Sequence, residues 1–417
     1  MEEGAKGKEE FTREFGKDYG YPDGPRGIDE IRASEFKRLN DSIGLAISSV
    51  PEKMGIQKPL CRSLVYLDHA GASLYSESQM EATFRDLTTN VYGNPHSQSD
   101  ASMESLCIIQ AARQQVLEFI NAPAKDYSCI FTSGATAALK LLGEAFPWCS
   151  DSCFMYTMEN HNSVLGIREY PTCACHCLLI GGATAVVVDV EQIEEHSGPS
   201  NLSFKKLTSI PQRQSGANLS GEAVDRNVYN LFAFPSECNF SGRRFDLELV
   251  NVIKEDSSRL LRGSLQCSGC WKVLIDAAKG CATQPPDLTR YPADFVVISF
   301  YKIFGYPTGL GALVVKKEAA ALLEKAYFSG GTVVASISDL DYVKRRKNIE
   351  DLFEDGTQSF LGIASLRHGF KLINMLSLPS VERHTSTLNA YVRKALLAMR
   401  HENGSLVCVL YGLNDAK

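Results

Sequence analysis

The chain has 417 residues, 44% of them hydrophobic and 22% charged, which is ordinary for a globular protein of two or three domains. A net charge of −6 argues against a nucleic-acid partner, and no apolar run approaches membrane-spanning length. The opening Met1–Glu10 is acidic and polar, unlike a secretory signal or an Arg-rich transit peptide, so a cytoplasmic protein is expected.

The thirteen cysteines are scattered, and Cys129, Cys153 and Cys408 lie in apolar runs, as reduced and buried thiols do. Cys173, Cys175 and Cys177, with Cys267 and Cys270, have spacings that zinc could use. The two groups lie nearly a hundred residues apart without the compact spacing of a finger, and no metal site is expected.

In chain order, residues 1–63 read as an arm with helical patches, such as Gly27–Leu39. Val65–Gly71 reads as a short strand and Tyr92–Ser97 as a tight loop. Ser99 or Asp100 can cap a helix with Ile109, Ala112, Val116 and Phe119 on one face. Cys129–Thr132, the turn Ser133-Gly134-Ala135-Thr136 and the run Ala137–Phe146 read as strand, glycine turn and helix. Free N–H groups at a helix start, beside the hydroxyls of Thr132, Ser133 and Thr136, favour phosphate binding over a plain strand–helix turn.

Further strands are predicted at Phe154–Thr157, Ala183–Val188, Tyr229–Phe234 and Lys272–Ile275. A long polar loop is predicted over Gln192–Asn227. Phe295–Ser299 and Gly311–Val315 read as buried strands joined by a Gly/Pro-rich turn that carries Lys302. Apolar neighbours make a lysine give up its proton more readily, and the neutral amine attacks carbonyls; a surface lysine is the commoner reading of any single one. Leu361–Leu376 and Val381–Arg400 read as helices, and Leu406–Tyr411 as one more strand. Strands alternating with helices indicate an α/β fold with a mostly parallel sheet flanked by helices, whose ligands gather at the carboxyl ends of the strands. His161, Asn239, Asp276 and Lys302 all follow strand candidates, so they can meet at one rim.

Several segments together carry a resemblance. They are Tyr66–Gly71, Gly93–Ser97, Phe131–Thr136, Met158–Asn162, Asn230–Gly242, Leu274–Gly280 and Ser299–Lys302. In this order they resemble the class V pyridoxal-phosphate enzymes, the cysteine desulfurases and their relatives, and most closely the plant-type molybdenum cofactor sulfurase family. The resemblance implies pyridoxal-phosphate fold type I, with an arm at 1–64, a large cofactor-binding domain at 65–335, and the beginning of a small α+β domain at 336–417.

It further implies that Lys302 holds pyridoxal 5'-phosphate covalently and that Asp276 pairs with the ring nitrogen. His161 would lie on the ring and assist proton transfer. Gly134, Ala135, Thr136 and Ser299 would surround the phosphate, and Asn239 would face the ring hydroxyl. Thr357 would reach the phosphate of a neighbouring subunit, which implies a homodimer. The implied substrate is L-cysteine, and the eventual sulfur acceptor is the molybdenum cofactor.

The sequence departs from ordinary desulfurases at Tyr301, where His is common, and at Lys279, where Gln is common. Lys279 could favour an ionised ring oxygen or simply face solvent. Segments Ser42–Arg62 and Thr172–Leu178 look like extra sequence. The family's Arg-Thr-Gly-Cys loop, which supplies the sulfur-accepting thiol, does not occur in the 417 residues. Little sulfur transfer is therefore expected of the chain by itself. Cys238 is the nearest thiol in sequence, and alternation predicts that it faces away from Asn239. Another pyridoxal-phosphate lyase or aminotransferase, or a non-catalytic partner of a longer sulfurase, are the rival readings.

Overall fold

Phe295–Ser299 is five apolar or small residues in a row, all buried. Strands covered on both faces read as such continuous runs. In the computed structural model this strand lies inside an eight-stranded sheet. The structure describes residues 2–20, 27–39, 65–149, 151–170, 184–193, 201–209, 227–260 and 269–410.

The strands are β1 Tyr127–Thr132, β2 Cys153–Thr157, β3 Thr184–Ile193, β4 Asn201–Ser209, β5 Tyr229–Pro235, β6 Cys270–Asp276, β7 Phe295–Ser299 and β8 Gly311–Lys316. Their order is β1-β8-β7-β6-β5-β2-β3-β4. The central pairings β3/β2, β2/β5, β5/β6 and β6/β7 are parallel. β8 pairs antiparallel with β7 and β1, and β4 pairs antiparallel with β3. A mostly parallel α/β sheet is therefore present.

Side-chain alternation divides the core into two layers. Phe131, Phe232, Phe234, Val296 and Ile298 point to the face covered by helices Asp100–Phe119 and Phe360–Leu376. Ile130, Leu231, Ala233, Phe295 and Val297 point to the face covered by helix Ala135–Ala145. Each large apolar side chain buried in this way contributes about 1.5–3 kcal/mol.

Arg113 on the first of these helices forms a buried, two-pronged ion pair with Glu354, at 2.5 and 2.7 Å. Glu354 also accepts the Phe131 N–H at 2.8 Å, so the turn just before Thr357 is fastened to β1. The amino-terminal helix Glu2–Phe15 packs on the last helix, Leu378–Ala398, through Phe11 against Tyr391. The Gly20 N–H donates to His384 Nδ1 at 3.0 Å.

Several expectations change. Val65–Gly71 is not a strand but a turn, closed by the Gly71 N–H donating to the Asp68 carbonyl. The predicted loop Gln192–Asn227 contains the end of β3 and all of β4, and its other residues up to Arg226 lie outside the described residues. Leu406–Tyr411 forms no strand among its described residues; Leu406 makes a single bridge to Arg400, and Tyr411 lies outside the described residues. An antiparallel hairpin, β9 Val333–Ile337 and β10 Tyr342–Arg345, was not anticipated. Segments 42–62 and 172–178, with Cys173, Cys175, Cys177 and Cys267, lie outside the described residues. Cys270 is exposed at the start of β6.

Candidate active site

The strand ends that meet on one side of the sheet build a cavity of about 410 Å³. Its lining includes Gly134, Ala135, Thr136, His161, Asn239, Asp276, Ser299 and Lys302, eight of the nine residues singled out from the sequence. Thr357 is the ninth. It is exposed on the turn after Glu354, beside Gly356, whose carbonyl contacts His96 Nε2 at 3.2 Å, and it does not line the cavity.

Lys302 sits on the short helix Phe300–Phe304, which begins where β7 ends. Ser73 fixes the backbone of this helix: its N–H donates to the Tyr301 carbonyl at 3.3 Å and its Oγ to the Lys302 carbonyl at 2.7 Å. Gly305 closes the helix at φ +81°, a region glycine enters without penalty, and a Cβ there would stand 2.3 Å from the Tyr75 nitrogen. The segment around Ser73 and Tyr75 can therefore lie directly against the lysine's helix.

Lys302 Nζ reaches Asn239 Oδ1 at 3.4 Å. Burial lowers its pKa, and the charge of Lys279 lowers it further, against Asp276 and Asp68, which raise it. The result is an amine that is easier to deprotonate than an ordinary lysine.

Asp276 is the last residue of β6, held between Pro235 of β5 and Val297 of β7. It is 7% exposed. Its Oδ1 accepts the Ala278 N–H at 3.1 Å. No cation lies at ion-pair distance from it among the described residues. Burial raises its pKa, and the Ala278 N–H and the charges of His161 and Lys302 only partly oppose this. Its remaining acceptor capacity opens on the cavity.

His161 follows β2 and caps the short helix Asn162–Leu165, its Nδ1 accepting the Ser163 N–H at 3.1 Å. That bond leaves Nε2 as the ring nitrogen free to carry the proton. Asn160 anchors the same loop to β5 through the Ala233 carbonyl, at 3.0 Å.

Gly134 is the cap of helix Ala135–Ala145, with φ +126° and no side chain to occupy the helix's first N–H groups. Thr136 Oγ1 and Ser163 Oγ lie 2.9 Å apart, and Ser299 is 2% exposed. An uncapped helix start with hydroxyls beside it is an anion site.

Sequence reasoning gave no role to several neighbours. Asp68 and His69 lie in the turn that the Gly71 N–H closes; Asp68 acts electrostatically on Lys302, and burial lowers the pKa of His69. Glu237, itself paired with Arg244, holds Lys279, which is not free: its Nζ lies 2.9 Å from Glu237 Oε1. Cys238 and Asn239 both contribute to the cavity wall, so the alternation expected of a strand does not apply. β5 ends at Pro235, and both residues sit in a turn in which Cys238 Sγ accepts the Ser241 N–H at 3.4 Å.

Residues 65–174 and 265–405 match the aminotransferase class-V family, and the chain belongs to that family. Within it, the molybdenum cofactor sulfurase of Solanum lycopersicum is 58% identical over 408 residues, covering 97% of this chain and 46% of that protein. That of Arabidopsis thaliana is 56% identical with the same coverage, and that of Homo sapiens is 38% identical over 94% of this chain and 39% of the human protein. The chain thus spans about half the length of the curated relatives it matches.

Among solved structures, the apo cysteine desulfurase of Thermococcus onnurineus superposes with a TM-score of 0.61, at 18% identity over 89% of this chain and 76% of that one. A cysteine desulfurase of Escherichia coli gives 0.57, at 18% identity over 80% and 74%. At these identities the likeness establishes the fold.

Proposed function

We propose that the cavity binds pyridoxal 5'-phosphate and that the protein to which this sequence belongs is a molybdenum cofactor sulfurase. It would draw sulfur from L-cysteine and pass it to the molybdenum cofactor. The observation that carries the reading is the donor set itself. A buried carboxylate with no cation beside it among the described residues, an amine with lowered pKa and an uncapped helix start face one cavity, and they match the ring nitrogen, aldehyde and phosphate of that cofactor in chemical kind. The sulfurases at 56–58% identity supply the choice of acceptor, and cysteine as sulfur source follows from the resemblance to cysteine desulfurases.

Lys302 would hold the cofactor covalently. Asp276 would keep a proton on the ring nitrogen, and Asn239 would face the ring hydroxyl. Gly134, Ala135, Thr136 and Ser299 would surround the phosphate. When bound, the cofactor supplies an electron sink for breaking bonds beside an amino-acid α-carbon. Lys302, once released as a free amine, would take the α-proton, and its lowered pKa suits it to that step. His161 would move a proton through Nε2, since Nδ1 is engaged by Ser163.

Thr357 lies outside the cavity of its own chain, as a residue serving a neighbouring subunit would, and we assign the protein to a homodimer on that basis. Among the described residues no helix is long and apolar enough to cross a membrane, and a cytoplasmic location is part of the proposal.

The test is reconstitution with pyridoxal phosphate, borohydride reduction and peptide mapping. The expected outcome is a yellow protein labelled at Lys302. A label confined to Lys279, or none, would sink the assignment. Cysteine supplied to the full-length protein is expected to yield alanine; a keto acid instead would turn the reading towards an aminotransferase.

A further inference from the structure

We infer that Glu237 is a positioning residue that holds Lys279 as a salt-bridged ammonium, so that of the two cavity lysines only Lys302 bonds to an aldehyde. The inference rests on the pyridoxal phosphate reading above.

The chemistry sets the question. An amine adds to an aldehyde through its nitrogen lone pair; the nitrogen gives up two hydrogens and the carbonyl oxygen leaves as water. An ammonium has no lone pair to offer. Lys279 and Lys302 both line the cavity, so something must decide which of them reacts.

Their surroundings differ in kind. Lys302 Nζ has a neutral amide oxygen, Asn239 Oδ1, at 3.4 Å, and among the described residues no carboxylate at ion-pair distance. Lys279 Nζ has a carboxylate oxygen at 2.9 Å, in a pair whose side chains are only 19% and 11% exposed. The contact is largely shielded from water, and it holds Lys279 Nζ against the Glu237 carboxylate.

Glu237 is itself held in place. Its Oε2 lies 3.5 Å from Arg244 Nε and accepts from Thr283 Oγ1 at 3.4 Å. The backbones of Glu237 and Arg244 form an isolated bridge, and Arg244 continues to Glu382 on the last helix. The turn that carries Lys279 lies against the end of β5 because of Gly280, where a Cβ would stand 2.2 Å from Ser236 Oγ. An anion fixed from several sides cannot swing away and release the ammonium. The positive charge it holds there is also one of the influences that lower the pKa of Lys302.

The experiment uses pyridoxal phosphate and borohydride, which delivers hydride to the C=N carbon and leaves a stable secondary amine for mapping. It needs no turnover. Lys302→Ala alone is expected to leave the Lys279 peptide essentially unlabelled. Lys302→Ala with Glu237→Gln, which releases Nζ from the 2.9 Å contact to a carboxylate, is expected to label that peptide several-fold more. Lys302→Ala with Glu237→Asp keeps an anion and is expected to behave like Lys302→Ala alone. Should the glutamine variant not fold, Glu237→Met, uncharged and of similar length, takes its place.

Equal labelling of Lys279 with and without the Glu237 change overturns the inference, as does labelling by Glu237→Asp equal to that by Glu237→Gln. Failure of the underlying reading looks different: Lys302 of the wild-type chain would then carry no label, whatever stands at 237.

Discussion

Asp86 and Asp276 are both buried to 7% exposure, yet they sit in opposite surroundings. Asp86, on the helix Glu77–Thr89, collects donors: Arg367 Nε and His368 Nε2 at 3.0 Å, Asn90 Nδ2 at 2.8 Å and the Tyr92 hydroxyl at 2.9 Å. Burial would raise its pKa, but these bonds overcome it and hold the group at about 2. Asp276 accepts one backbone N–H, and burial prevails, raising its pKa. A carboxylate fully satisfied from within ties two helices together. A carboxylate buried equally well but left with spare acceptor capacity beside a cavity is arranged for a donor that comes from outside.

The largest effect expected from this contrast is at Lys302. Lys302→Ala should abolish covalent retention of pyridoxal phosphate, leaving a colourless or weakly loaded protein after dialysis. Its effect on thermal stability without cofactor should be within about 0.5 kcal/mol, because among the described residues its Nζ makes only the 3.4 Å contact to Asn239. Absorbance after dialysis and a thermal melt check the two halves. A melt lowered by several kcal/mol would make Lys302 a structural residue and break the contrast.

The two regions differ also in how far the sequence reveals them. Lys302 follows an apolar strand, Gly134 starts a helix after another, and Asp276 ends a third. Local patterns placed all three at the strand ends because each needs only its own neighbours. The Asp86 network was not legible, since Arg367 and His368 lie 281 and 282 residues away and nothing local marks them as partners. Glu237 and Lys279, 42 residues apart, were hidden in the same way. β4 escaped notice because it alternates polar and apolar residues in a segment rich in Gly, Ser and Pro, whereas the buried strands are continuous apolar runs. Val65–Gly71 misled in the other direction: an apolar start suggested a strand, but among the described residues no strand pairs with it.

The second effect in size is at Asp86. Asp86→Asn removes the charge that Arg367 and His368 face and sets an amide N–H₂ among donors. A loss of roughly 2–3 kcal/mol is expected, less than for a wholly buried pair because Arg367 is 35% exposed. The folded pKa is depressed, so the carboxylate's contribution is present above the ordinary carboxylate range and fades as pH falls towards about 2. Urea unfolding of both proteins should show a gap that is full near neutral pH and narrows below about pH 4. A gap independent of pH would mean that shape, not charge, holds the two helices.

The smallest effect is expected at Asp276, and its pH dependence should run the other way. In the cofactor-free chain, Asp276→Asn keeps an oxygen for the Ala278 N–H and turns its amide towards the cavity, so no buried partner is abandoned. At neutral pH the change in stability should be neutral or favourable, within about 1 kcal/mol, because removing an uncompensated buried charge relieves desolvation. The folded pKa is raised, so the wild-type carboxyl's contribution is complete below the ordinary range, where it is protonated. That contribution is lost as pH rises through the folded value. Relative to Asp276→Asn, the wild-type chain should therefore lose stability as pH climbs from about 4, while relative to Asp86→Asn it should gain as pH climbs from about 2 towards 4. Adding pyridoxal phosphate should reverse the ranking at position 276 alone, since only there would the ligand bring the missing donor. The same sign of pH slope at both positions, or a loss of 2 kcal/mol or more for Asp276→Asn without cofactor, would show that Asp276 is satisfied within the fold after all.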